Sequence, residues 1–186
     1  MTNQQVVNKM IEATLFQLTS NVNVAQFEDV IQKNLHDKQA QTTSTTQFFD
    51  ALMLNIVYFL ENKQLWEQQM EAMLTGKQTL AVDVFEQEVL SAQMHIREKI
   101  HAQQAAYVEQ FHPQYDNPEF TEESVRYEYA FESLAHSLRA DFTSVFVRKF
   151  ANSPALLHID VAETIRIMNG TIEYYVSNIV NGMSFR

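Results

Sequence analysis

Cysteine is missing from all 186 residues. Its absence excludes disulfides, thiolate metal ligands and a cysteine nucleophile. Glycine and proline occur only three times each, which suits long uninterrupted helices better than a sheet with many turns. Long hydrophobic runs are missing too. The most apolar window, ALMLNIVYFL (51–60), is about half of the roughly 20 residues that a spanning helix needs. No N-terminal stretch reads as a signal peptide, and a soluble, cytoplasmic protein without membrane partners is expected. Residues 1–50 lack arginine altogether. There Lys9, Lys33 and Lys38 stand against Glu12, Glu28, Asp29, Asp37 and Asp50, a local net of −2, which is a thin footprint for gripping phosphates. The chain also lacks G-x-S-x-G, HExxH and a glycine-rich phosphate loop, so a non-enzymatic protein without cofactor is expected.

What the chain does have is apolar periodicity. Apolar residues make up 46% and charged residues 19%, with a net charge of −10. This is a folding composition, not a disordered one, and the length suits one domain or a small head on a larger body. Val6, Val7, Met10, Ile11, Leu15, Phe16 and Leu18 place a first helix over 3–19. After the break TSNVN, Asn23 caps a second helix and Gln26 completes a capping box; the pattern fades through NLHDKQ. From Phe48 a stronger stripe follows through Phe49, Leu52, Met53, Ile56, Phe59 and Leu60. A bend at ENK (61–63) and a stop at Gly76 are expected. Residues 79–111 read as one long helix or two, and HPQYDNPEF (112–120) as a loop. Thr121 caps a helix to about Ala151, and Asp160 with Glu163 forms the capping box of the last one, which ends near Gly182. The expectation is an all-α protein of seven to nine helices.

The apolar residues of the last two helices spread beyond one stripe. That breadth predicts a homodimer about a two-fold axis, with Phe131, Leu138, Phe142, Val145, Ile172, Tyr175 and Ile179 at the interface.

In helix order and length the chain resembles the TetR family of transcriptional regulators, divergent and with an atypical or degenerate N-terminal helix-turn-helix. NKMIEATLFQL (8–18) is similar to that family's first helix, and VNVAQFEDVIQKN (22–34) to the second. In QTTSTTQFF (41–49), Thr43, Thr46 and Phe48 stand where the family's recognition segment has a hydroxyl residue, a threonine and an aromatic. The resemblance implies a three-helix head over 1–50 and a ligand-binding, dimerising helical body over 51–186. It also implies double-stranded DNA as a partner, contacted through Lys38, Thr43, Ser44, Thr45, Thr46 and Gln47. Apart from any family, hydroxyl and amide side chains here can read base edges or hold phosphates. They can equally cap the incoming helix.

For small molecules, Trp66, Met70, Met73, Phe85, Met94 and Tyr107 form a methionine- and aromatic-rich set suited to an adaptable pocket. With few basic residues nearby, the expected ligand is apolar or cationic, the cation resting on aromatic faces. No metal ligand set is assigned. Glu128, Glu132 and His136 share a helix face at i+4 spacing, and His95, Glu98 and His101 are poorly aligned for one ion. The leading functional expectation is a ligand-responsive, homodimeric regulator of transcription. The alternatives are an all-helical sensory or protein-interaction module without DNA readout, and a metal-binding helix bundle.

Overall fold

The computed structural model describes residues 1–41, 45–74, 91, 94, 95, 98, 102, 122–150 and 153–183. Among them are five α-helices: α1 (Asn3–Ser20), α2 (Val24–Gln41), α3 (Thr45–Leu74), α4 (Glu122–Phe150) and α5 (Val161–Asn181). A 3₁₀ turn, Pro154–Leu156, stands between α4 and α5. The all-α expectation holds for the described residues. The loop at 112–120, the Thr121 cap, Gly76 and most of 79–111 lie outside them.

Three of the described helix starts have a chemical cause. Thr2 caps α1: the Gln5 amide donates to Thr2 Oγ1 at 3.2 Å and the Thr2 amide donates to Gln5 Oε1 at 3.0 Å, a reciprocal box. Asn23 Oδ1 accepts from the Gln26 amide at 3.1 Å before α2, as expected. Asp160 Oδ1 accepts from the Glu163 amide at 3.0 Å before α5. The return arm expected of Glu163 is diverted, however. Its carboxylate accepts two 2.7 Å bonds from Arg166, one turn on.

Two boundaries differ from the sequence pattern. α2 does not fade at NLHDKQ but continues to Gln41. α3 runs 30 residues without a break at ENK. There Asn62 is fully buried, and the helix passes through because it packs on both sides of that point. α3 also crosses residue 50 uninterrupted.

α4 is the central helix, packed against α1, α3 and α5. Val125, Tyr129, Leu134, Leu138, Phe142 and Phe146 are buried along it. Three neighbours in one chain account for the breadth of its apolar surface. α1 docks by Val7, Ile11, Thr14 and Leu15 onto α4 and α5. Its first turn is tied down by polar bonds: Asn3 Nδ2 donates to the Leu157 carbonyl (2.9 Å), Gln4 Nε2 to Thr164 Oγ1 (2.8 Å), and the Asp160 amide to Gln4 Oε1 (2.6 Å). α2 lies on α3, burying Ile31 and Leu35, and Lys38 Nζ rests 5.9 Å from the centre of the Tyr129 ring on α4. α3 runs antiparallel to α5, since Lys63 meets Glu173 and, a turn later, Glu67 meets Asn169.

Candidate functional site

Polar side chains gather where α3, α4 and α5 meet. α4 places Glu132, His136 and Arg139 at i, i+4 and i+7, which is one face of a helix. α3 brings Asn62 between Phe59 and Trp66, the rings that flank His136 with centroids at 5.4 Å and 6.5 Å. Asn62 is three residues from Phe59 and four from Trp66, so it shares their side of the helix. α5 adds Asn169 and Glu173. Asn169 Nδ2 donates to Glu67 Oε1 at 2.6 Å, and Lys63 Nζ pairs with Glu173 Oε1 at 3.1 Å.

The burial of this set is what singles it out. Arg139 is 2% exposed, the largest of the fully buried side chains, and Asn62 is 0% exposed. Neither Asn62 amide atom, nor Arg139 Nε, Glu132 Oε2, His136 Nδ1 or Asn169 Oδ1, has a hydrogen-bond partner among the described residues. A buried amide without a partner costs about 1–3 kcal/mol, and groups left so inside a fold call for a physical explanation.

Electrostatics follow from the burial. Desolvation pushes the Glu132 carboxyl above its ordinary value, helped by the charges of Glu128 and Glu173 and opposed by Arg139 and Lys63. Desolvation, and then the Arg139 charge, holds the His136 imidazole below its ordinary value. Burial also lowers Arg139, while Glu132, Glu67 and Glu173 pull it the other way. Guanidinium nonetheless stays charged in proteins. Lys63 and Arg139 thus stand against Glu67, Glu128, Glu132 and Glu173, two basic groups against four acidic ones.

The residues expected from sequence fall in several places. Trp66 and Met70 are buried on α3, Trp66 within the cluster. Met73 lies on the last turn of α3. Met94 is 64% exposed, and Phe85 and Tyr107 lie outside the described residues. Of the DNA-facing set, Thr43 and Ser44 lie outside the described residues, Thr45 and Thr46 open α3, Gln47 is exposed, and Lys38 is half-buried over Tyr129. Of the dimer set, Leu138, Phe142 and Ile172 are buried inside the single chain. Phe131, Tyr175 and Ile179 pack partly buried against that same core, and Val145 is half-buried. Among the described residues no three histidines and carboxylates are grouped to hold a metal ion. Glu132 and His136 share a face of α4, with the Arg139 charge acting on both. No helix among the described residues is long and apolar enough to cross a membrane.

Sequence reasoning missed Asn62, Arg139, Asn169 and Glu173. A signal for two of them was present: Asn62 interrupts the apolar stripe Phe59–Trp66, and Arg139 sits between Leu138 and Phe142.

No protein-family model matches the chain, and no match was found among curated proteins or solved structures.

Proposed function

We propose that this protein is a ligand-responsive helical sensor, with a small polar molecule held in the α3–α4–α5 cluster. The observation that carries this reading is the set of buried, unpartnered polar atoms around Asn62 and Arg139. A ligand that satisfies them returns the desolvation penalty as binding energy. α3 supplies the output. It is one helix with the cluster near Asn62 and its first turn at Thr45–Gln47, about 25 Å away at 1.5 Å per residue. A shift of α3 at the ligand is therefore felt at its first turn, where Gln47 is exposed.

The test uses the chain's single tryptophan, Trp66, as a reporter inside the site. Small cationic, anionic, zwitterionic and neutral compounds are screened by its fluorescence and by thermal melting. A library that moves neither signal would overturn the sensor reading.

A second reading, the TetR-like transcriptional regulator, is favoured by one observation: α2 and α3 follow one another in the chain and pack on each other, as the two helices of a helix-turn-helix do. In that case the ligand sets the separation of two α3 starts in a homodimer, and one separation matches successive major grooves. The dimer face would then be the outer side of α5, where Tyr174 is 65% exposed and a Cβ on Gly170 would meet nothing within 4 Å. Salt-dependent binding to duplex DNA, followed by sequencing of captured genomic fragments, tests it. A folded protein that enriches no sequence at low salt is then a sensor without DNA readout.

A further inference from the structure

Resting on the sensor reading, we infer that the α3–α4–α5 cluster takes a small zwitterion, its cationic nitrogen at Glu132 and its carboxylate at Arg139. The two residues lie seven apart on α4, on the same face and separated by about 10 Å of helix rise. They carry opposite charges, and each has a buried atom without a hydrogen-bond partner among the described residues, Oε2 of Glu132 and Nε of Arg139. Asn62, fully buried on the facing helix, offers one donor and one acceptor, both unpartnered, and Asn169 Oδ1 adds a further acceptor.

Sorting these atoms by what they need decides the ligand class. Arg139 Nε and Asn62 Nδ2 are donors that need an acceptor; Glu132 Oε2, Asn62 Oδ1 and Asn169 Oδ1 are acceptors that need donors. A singly charged anion meets the first group and leaves Glu132 Oε2, Asn62 Oδ1 and Asn169 Oδ1 without a donor. A monocation meets the second group and leaves Arg139 Nε and Asn62 Nδ2 without an acceptor. A neutral apolar molecule meets neither. A molecule with an ammonium at one end and a carboxylate at the other answers both ends with charge-assisted bonds. His136 stands between Glu132 and Arg139 on that face, flanked by the Phe59 and Trp66 rings.

The experiment titrates the full chain with ω-amino acids from glycine to 6-aminohexanoate, and with the amine and the carboxylic acid matched to each length. Trp66 fluorescence and calorimetry are the readouts. At least one zwitterion is expected to bind ten-fold or more tightly than both of its singly charged counterparts. Glu132→Gln keeps size and removes the charge, and is expected to cut that preference by about ten-fold while circular dichroism remains that of the parent. Arg139→Lys, which keeps the charge but loses the fork, is the second variant and should weaken the acid end alone. Tighter or equal binding of an amine or an acid overturns the zwitterion assignment and leaves the sensor standing. So does a Glu132→Gln protein with unchanged preference. If nothing in the series or in the wider library binds, because the cluster holds only water, both fall.

Discussion

Replacing Asn62 with leucine should make this protein more stable and less responsive. Asn62 is 0% exposed, and both of its amide atoms lack a partner among the described residues. In the unfolded chain those atoms are hydrated, so folding bears a desolvation cost of about 1–3 kcal/mol for the amide. Leucine has the same branching at Cγ and brings no polar atom, and it meets Phe59 and Trp66 with apolar surface. Imperfect fit of its methyl groups can take back about 1 kcal/mol. The net expectation is a gain of about 1–2 kcal/mol. Urea denaturation should show a higher midpoint at unchanged slope, and the melting temperature should rise by about 2–8 °C for a chain of this size.

Asn55 is the control on the same helix, because its Nδ2 donates to the Ala51 carbonyl at 2.6 Å. Asn55→Leu loses a made bond and should not gain stability. If Asn62→Leu instead loses 1 kcal/mol or more while folding remains two-state, the amide is paired in solution and the cluster is a closed structural network. The sensor reading also requires that the stabilised variant lose its fluorescence response to any ligand that the parent binds, since a site kept at the expense of stability is released when its polar group is removed.

Arg139→Leu should cost about 3–5 kcal/mol, because it leaves buried Glu132 and half-buried Glu67 against Lys63 alone; a near-neutral result by chemical denaturation would refute that charge balance. Glu132 should make stability fall as pH rises. Its carboxyl holds a proton in the folded state above the ordinary value of 4.5, so its contribution is complete below that value and is lost as pH climbs through the raised one. Glu132→Gln should flatten this limb of a denaturation-versus-pH series. The opposite limb, stability lost as pH falls below the ordinary histidine value of 6.5 because His136 is held neutral, should remain. Asp160→Ala should lose about 1 kcal/mol through the α5 cap, measured by urea midpoint. Gly170→Ala should gain about 0.5–1 kcal/mol in a monomer, since the methyl meets open space in mid-helix. A loss of dimer by sedimentation in that variant would instead place the outer face of α5 in an interface.

Helix positions were legible in the sequence because period-3.6 apolar spacing reports burial directly, and four of the five described helices start within two residues of where the pattern puts them. The exception is α3, whose apolar stripe opens at Phe48 while the helix opens at Thr45. Three polar residues ahead of a buried face add helix without adding any hydrophobic signal. ENK shows a related limit. Glu61, Asn62 and Lys63 read as a polar bend, yet only a tertiary partner decides whether a polar residue on a helix points to water or inward, and here α3 continues through them with Asn62 buried. The width of apolar surface on α4 has the same ambiguity: one chain with three neighbours and two chains with one each leave the same residue pattern, and Leu138, Phe142 and Ile172 are buried within the single chain.

The candidate site was nearly invisible because sequence search favours polar residues in polar surroundings. In a protein with no cysteine and few glycines, no loop or thiolate announces chemistry. What remains is the rarer event of a polar residue on an apolar stripe, such as Asn62 between Phe59 and Trp66 or Arg139 beside Leu138. Such a residue either meets a partner in the fold or is held against the stability of the fold for some other reason. Here the Asn62 amide, Glu132 Oε2 and Arg139 Nε are buried without a partner among the described residues, and the sensor proposal rests on the second alternative. The Asn62→Leu measurement separates the two by the sign of a single stability change.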